Sequence, residues 1–347
     1  MKIILAFDSF KECLTAMEAC EAAREGVLEV HPDADVIMLP LSDGGEGLSA
    51  CLATALNLRQ RTITTHDALM RQLTAQYALT PDGTTAVMEM AATCGLALIP
   101  PTERDVMRAT TYGVGEMMLD AVRQGVRRIF VGIGGSATCD GGSGMIDALK
   151  PHLAAFDGIE IIVACDVTNP LYGPEGAAFV FAPQKGATPD QVVLLDQRLR
   201  DFARECEAGG ASPALAHHPG AGAAGGLGYG LMALLGARLT SGIESVLDLL
   251  RFDSHLQDAT LVITGEGKSD RQTLHGKVPM GVLRRANAQG VPTMLLSGAI
   301  EDAAALTAAG FHKVRSINGH DSRPLSELLR PEVAMSNLRS TVRSLLS

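Results

Sequence analysis

Two observations predict an α/β protein in which a parallel-sheet domain, split in sequence, carries a second, inserted α/β domain of mixed sheet. Apolar strands alternate with helix-length amphipathic stretches at both ends of the chain, whereas a middle stretch consists of short alternating runs broken by turn residues. A third observation concerns function: polar, often glycine-rich, loops follow one strand after another.

Lys2–Phe7 is apolar with little alternation, as a strand covered on both faces is, and Asp8-Ser9-Phe10-Lys11 follows at its C-terminal end. Loops at that end of a parallel sheet carry ligands. Thr15 with Glu18 makes a capping box for a helix reaching Val30, and His31-Pro32-Asp33 stops it. Val36–Leu41 is a second strand and runs into Ser42-Asp43-Gly44-Gly45-Glu46-Gly47, completing a βαβ unit. Asp43 and Glu46 are either ligand-binding groups or ordinary helix-start carboxylates favoured by the macrodipole.

From Arg59 to Met90 the texture changes to an antiparallel hairpin region, with Thr80-Pro81-Asp82-Gly83 as a turn. A helix over Thr111–Gln124 leads to the stretch Val126–Gly144, an apolar run ending in a glycine-rich loop with Ser136, Thr138 and Asp140, and a further helix starts near Met145. Glycine lets backbone N–H groups approach a ligand, and a helix opening offers unpaired N–H groups to an anion, so a phosphate fits there; a tight strand-to-helix connection is the competing reading. Ile159–Cys165 is another buried strand ending in Asp166-Val167-Thr168-Asn169-Pro170. The loop Ala182–Gly186 and a charged, exposed helix over Pro189–Glu207 follow. Pro219–Gly228 is a second glycine-rich loop opening a helix. Gly220–Ala237 is uncharged but too rich in glycine and alanine for a membrane span, and reads as a buried loop and helix.

Thr260–Thr264 is a strand followed by Gly265-Glu266-Gly267-Lys268-Ser269-Asp270-Arg271-Gln272. Thr293–Ser297 and Lys313–Asn318 then continue the alternation to a final helix. This part has the character of the first βαβ unit, so the two are expected to share one sheet. The parallel domain is placed at 1–57 with 256–347, and the inserted domain at 58–255.

The chain is long enough for two domains, with 347 residues of which 46% are hydrophobic and 20% charged. Its net charge of −10, with no long basic run, repels nucleic acid and anionic lipid and favours a small-molecule partner. Aromatics at 4% and no Trp argue against stacking platforms for single strands or sugars. Seven cysteines form no CxxC pair, and the short apolar run before Asp8 is no signal sequence; a reducing cytoplasm is expected.

The pattern Asp-Gly-Gly-x-Gly occurs at Asp43–Gly47 and again at Asp140–Gly144. With the other strand-end loops it supplies Asp8, Asp43, Asp140, Asp166, Glu266 and Asp270 beside Lys11, Lys185, Lys268 and Arg271. Phosphoryl transfer needs carboxylates to hold Mg²⁺ or accept a proton, and cations and backbone donors to steady phosphates. Common nucleotide signatures are missing. Val262 stands where the P-loop ending in Gly267-Lys268-Ser269 requires its first glycine. Gly132, Gly134 and Ala137 satisfy a dinucleotide fingerprint loosely, but the acidic partner about 20 residues on is not convincing, because Asp157 lies before the next strand rather than after it. His217-His218 lack an HExxH partner.

DSFKECLTA (Asp8–Ala16), LSDGGEG (Leu41–Gly47), GIGGSATCDGGSGM (Gly132–Met145), ACDVTNPLYG (Ala164–Gly173), PQKGA (Pro183–Ala187), PGAGAAGGLG (Pro219–Gly228), SGIE (Ser241–Glu244) and TGEGKSDRQTLHGKVPMGV (Thr264–Val282) occur in collinear order over nearly the whole chain. Together they resemble the bacterial class I glycerate kinases. The resemblance implies ATP-dependent, Mg²⁺-assisted phosphorylation of D-glycerate, usually at the 2-hydroxyl, in glyoxylate and sugar-diacid catabolism. It also implies a Rossmann-like domain and a second α/β domain with the active site in the cleft between them. The chain departs from the family where Phe7 and Glu12 replace a common proline and glycine, where Cys139 replaces a common asparagine, and in a shortened segment between Met145 and Ile159. The tail past Asn318 carries little family signature.

On that resemblance the expected proton acceptor is Asp270, with Lys11 and Lys185 on the transferring phosphate. Gly134, Gly135, Ser136, Gly225, Gly226 and Lys268 are expected on the nucleotide, and Asp8, Ser9, Asp43, Asn169 and Arg271 on glycerate. Asp166 and Glu266 are expected to hold Mg²⁺. The competing reading of each carboxylate is a cap on its own loop. The expected partners are ATP and D-glycerate, with a monomer or homodimer and neither membrane nor nucleic acid. Two other functions remain open, an NAD(P)-dependent oxidoreductase of small hydroxy acids using Gly132–Ala137, and a glycerate sensor without turnover, suggested by Phe7 and Glu12.

Overall fold

The computed structural model describes residues 1–42, 52–53, 56–319 and 321–347. In chain order its strands are β1 (Lys2–Phe7), β2 (Asp35–Met38), β3 (Arg59–His66), β4 (Gln72–Leu79), β5 (Thr85–Glu89), β6 (Arg128–Gly132), β7 (Glu160–Ala164), β8 (Arg238–Thr240), β9 (Leu261–Gly265), β10 (Lys268–Ser269), β11 (Thr293–Ser297), β12 (Ala299–Ile300) and β13 (Lys313–Ser316). The described residues fall into two compact units: 1–42, 52–53 and those of 243–347 in the first, and 56–242 in the second.

The first unit is built on a five-stranded sheet in the order β13-β11-β9-β1-β2, with every pairing parallel. The N-terminal βαβ unit and the C-terminal strands therefore share one sheet, as their common texture predicts. Ile3, Leu5 and Phe7 of β1 are fully buried, as is Leu296 of β11. Burying each such side chain contributes about 2 kcal/mol. The helix Ala16–Val30 starts at the predicted capping box, where Thr15 accepts from the Glu18 N–H and the Glu18 carboxylate accepts from the Thr15 N–H. It packs on the final helix, Pro331–Leu346, at Gly26, where a Cβ would lie 2.5 Å from the Arg339 carbonyl. Arg339 also pairs with Glu25 and Glu29, so the tail past Asn318 completes this layer.

β2 is shorter than the expected Val36–Leu41, yet the Leu39 and Leu41 N–H groups still bond Leu5 and Phe7 carbonyls. The return to the first unit comes at Ile243 rather than 256. Arg285, on the helix Val278–Ala288, bonds Glu244, Asp248 and Asp253 and draws the segment from Ile243 onward to this sheet.

The second unit is a six-stranded mixed sheet in the order β3-β4-β5-β6-β7-β8. β3, β4 and β5 pair antiparallel, with the Thr80–Gly83 turn between β4 and β5, and β5 through β8 pair parallel. Between β6 and β7 the shortened segment retains a helix, Ser143–Leu149, and a 3₁₀ stretch, Lys150–Phe156. The uncharged Gly220–Ala237 region becomes a loop and the largely buried helix Ala223–Leu235. Among the described residues no helix is long and apolar enough to cross a membrane.

Candidate active site

In the first unit the chain reverses its direction across the sheet between β1 and β9, and the loops beyond their C-terminal ends are where such sheets bind ligands. The two loops touch. A Cβ on Gly267 would lie 3.2 Å from the Lys11 backbone nitrogen, and the Asp8 N–H bonds the Gly265 carbonyl at 2.9 Å. Asp8 Oδ1 accepts the Ser9 N–H at 2.7 Å, and Lys11 is exposed. Glu12 has φ of +60°, a left-handed turn that favours glycine, the residue the resemblance leads one to expect here, and that an ordinary residue holds in this chain.

The loop after β9 is held by its own side chains. The Glu266 carboxyl is buried, and its Oε1 accepts from Thr273 Oγ1 at 2.6 Å and Ser269 Oγ at 2.9 Å. Ser269 Oγ in turn lies 2.7 Å from Ser297 Oγ, and Lys277 Nζ approaches Glu266 Oε2 at 3.7 Å. Burial pushes the Glu266 pKa up against the pull of Thr273, Lys277 and Ser269. The Asp270 carboxylate accepts the Gln272 N–H at 2.8 Å and caps the 3₁₀ turn Arg271–His275. Lys268 pairs with Glu301 at 2.8 Å and Arg271 with Asp302 at 2.5 Å, both on the surface. Lys277 and Thr273 escape a search for acids and cations in glycine loops, although both lie inside the longest family-like motif.

In the second unit the glycine-rich loop after β6 divides into two parts with opposite properties. Its Asp-Gly-Gly-x-Gly end is closed on itself. Asp140 Oδ2 accepts from the Thr111 N–H (2.8 Å), the Thr111 hydroxyl (2.9 Å) and the Gly144 N–H (3.2 Å), while Oδ1 accepts from the Gly142 N–H (3.1 Å). The Ser143 N–H bonds the Asp140 carbonyl and the Met145 N–H the Thr111 hydroxyl. The helix opening expected to receive a phosphate therefore has its donors satisfied internally, because a carboxylate of the same loop has taken the anion's place. Asp43 and Glu46, in the matching pattern, lie outside the described residues.

The other end of the loop is open. Gly134 and Gly135 are exposed, Gly135 has φ of +71°, and the N–H groups of Gly134, Gly135 and Ser136 donate to no acceptor among the described residues. Successive N–H groups around a left-handed residue form an anion-binding concavity. Beside them lies Lys185, which is 3% exposed and whose ammonium donates to Ser136 Oγ and to the Thr138 carbonyl, each at 2.7 Å. Burial lowers its pKa to about 8 against the opposing pull of Cys139 and Asp140. The Thr138 hydroxyl, fully buried, has no hydrogen-bond partner among the described residues.

Gly225 and Gly226 form the rear wall of this loop. A Cβ on Gly225 would lie 2.0 Å from the Thr138 carbonyl oxygen, and the Gly225 carbonyl accepts the Gly141 N–H at 3.0 Å. Their need for glycine is accounted for by backbone packing on backbone. Asp166 is exposed and its Oδ1 accepts the Gly242 N–H at 3.0 Å; Asn169 Nδ2 donates to the Glu175 carbonyl at 2.8 Å. Among the described residues no group of three or more His, Cys, Asp or Glu is placed to hold a metal ion.

The glycerate kinase family model matches residues 3–155 and 152–347. Glycerate 2-kinase of Escherichia coli K12 is 41% identical over 87% of this chain and 86% of its own length. Glycerate kinase of Bacillus subtilis 168 is 45% identical over 86% and 85%. A crystal structure from Salmonella typhimurium LT2, of a protein provisionally named glycerate kinase 2, superposes with a TM-score of 0.88 at 40% identity, covering 100% of this chain and 97% of that one. The chain is a kinase belonging to the glycerate kinase family.

Proposed function

We propose that this kinase transfers the terminal phosphoryl group of ATP to the 2-hydroxyl of D-glycerate. The observation that carries the reading is the open end of the β6 loop, where three N–H groups with no acceptor among the described residues lie beside a buried ammonium. Fixed donors and a desolvated cation are what a phosphoryl group gathering negative charge requires. The name of the Escherichia coli relative supports the 2-hydroxyl.

In this reading Gly134, Gly135 and Ser136 receive nucleotide phosphate oxygens, Gly225 and Gly226 fix the loop from behind, and Lys268 adds a surface charge. Lys185 and Lys11 steady the group in transfer. Asp8, Ser9, Asn169 and Arg271 hold glycerate, with Asp43 assigned on the family resemblance alone. The hydroxyl oxygen of glycerate bonds to phosphorus as the bond to the ADP oxygen breaks, and Asp270 takes the hydroxyl proton.

Asp166 and Glu266 do not fit a resident Mg²⁺. Glu266 Oε1 is engaged by two hydroxyls and Asp166 Oδ1 by a backbone N–H, and among the described residues neither carboxylate belongs to a group of three or more His, Cys, Asp or Glu placed to hold a metal ion. No step is therefore assigned to a protein-held ion, and Mg²⁺ enters this reading as the counter-ion of the nucleotide phosphates. We place the reaction in the cytoplasm, in glyoxylate and sugar-diacid catabolism, with a monomer or homodimer as the working species.

The test is ATP consumption by the purified protein with D-glycerate, with and without Mg²⁺, followed by phosphorus NMR of the product. Mg²⁺-dependent turnover to 2-phosphoglycerate is expected. A 3-phosphoglycerate signal would move the acceptor, and binding of D-glycerate without turnover would replace the kinase reading by a sensor.

A further inference from the structure

We infer a second anion site in the second unit, a cavity of ≈ 400 Å³ walled by Thr102, Arg104, Arg108, Gly186 and Gln191, that takes a small phosphate-bearing anion. Arg108 is exposed, and its guanidinium donates to no acceptor among the described residues, its backbone N–H bonding the Asp105 carbonyl at 3.2 Å. Among the described residues the guanidinium of the half-buried Arg104 makes one bond, a 3.4 Å contact from Nε to the Ile99 carbonyl. The two carboxylates in the wall are occupied. Glu103 pairs with Arg71 at 2.6 Å, and Asp105 Oδ1 accepts the Met107 N–H at 3.1 Å. Gln191 stands in the first turn of the twenty-residue helix Pro189–Ala208, whose dipole adds positive potential at the same wall.

Two guanidinium forks without carboxylate partners, in a concavity large enough for a phosphorylated three-carbon acid, match the geometry of a phosphate. The site is separate from the β6 seat. Gly186 lines the cavity, while its neighbour Lys185 points its ammonium at Ser136 and Thr138. Inorganic phosphate and a phosphomonoester share the recognised group, and affinity decides between them.

Calorimetric titration of the nucleotide-free protein with inorganic phosphate, and separately with 3-phosphoglycerate, tests this. The inference expects binding that weakens at least about tenfold in Arg104→Gln and in Arg108→Gln and persists in Lys185→Met. Tighter binding of 3-phosphoglycerate would identify the phosphomonoester as the ligand, and equal or tighter inorganic phosphate the free ion. Arg108 is exposed and unpartnered, so its variant keeps the test valid if Arg104→Gln does not fold. Binding that is lost in Lys185→Met but unchanged in both arginine variants would place the anion at the β6 seat and overturn the inference. Absence of binding by either probe in the millimolar range would overturn it also. Since the readout is binding without nucleotide or glycerate, failure here leaves the kinase reading to its own assay.

Discussion

The Lys185 ammonium stands 2.7 Å from the Ser136 hydroxyl oxygen in a pocket that leaves the lysine 3% exposed. Its second partner, the Thr138 carbonyl, is also neutral, and the nearby Asp140 carboxylate is occupied by Thr111, Gly142 and Gly144. A buried cation held only by neutral oxygens is disfavoured as an ion until an anion arrives beside it.

Activity should accordingly depend on the protonation of Lys185. The charged form is the one that steadies a phosphate, so kcat/KM for ATP is expected to fall as pH rises through about 8. Lys185→Met should lose about 10²–10³ in turnover and lose that inflection from whatever activity remains. A wild-type profile flat from neutral pH to well above 9 would remove Lys185 from the site.

The same shift predicts a pH dependence of stability. The folded pKa lies near 8 and the unfolded one near 10.5, so between these values the unfolded chain binds more protons and stability rises with pH. The cost of the buried charge, about 3 kcal/mol, is complete below pH 8 and is relieved through that window. Buried cysteines act oppositely above their ordinary range, because burial raises Cys139 to about 11 and Cys94 to about 12. Comparison with Lys185→Met removes the contribution of Cys94, whereas Cys139, which the Lys185 charge pulls down, rises further in the variant and adds to the difference only above its ordinary range. Urea unfolding of the two proteins should give a stability difference that shifts toward the wild type between pH 8 and 10.5.

The shared sheet and the hairpin region were legible because period and composition differ between parallel, doubly covered strands and the Arg59–Glu89 hairpins, whereas the order of the strands was not. Less of the site was legible, since a sequence does not reveal what a carboxylate bonds. Asp140 and Gly134 stand in one loop, yet the first closes its half and the second leaves its half open. Lys277 was missed because its partner Glu266 is eleven positions away across a turn.

Glu12 offers a test of backbone strain. A non-glycine residue at φ of +60° pays about 1–2 kcal/mol, partly offset in a glycine variant by greater freedom of the unfolded chain. Glu12→Gly should therefore raise stability by about 0.5–1 kcal/mol, seen as a higher urea midpoint at constant slope. An unchanged or lower midpoint would mean that the Glu12 side chain contributes more than the strain costs.

Asp140 should behave as a structural residue despite its place in the family-like loop. Asp140→Asn turns an NH₂ group toward backbone donors that now share two carboxylate oxygens, at a cost of about 2–3 kcal/mol. Thermal or urea unfolding measures this. A variant as stable as the wild type but inactive would instead place Asp140 in the chemistry.

Asp270 separates capping from catalysis by the same substitution. Asparagine caps a helical turn about as well as aspartate, so Asp270→Asn keeps an acceptor for the Gln272 N–H and should change stability by no more than about 0.5 kcal/mol. As a base it has no such replacement, because an amide does not take the hydroxyl proton, and turnover should fall at least about a hundredfold. The measurement is kcat beside the unfolding midpoint for wild type and variant. Loss of turnover at constant stability supports the base, whereas normal turnover leaves Asp270 the cap of the Arg271–His275 turn and moves the proton acceptor elsewhere.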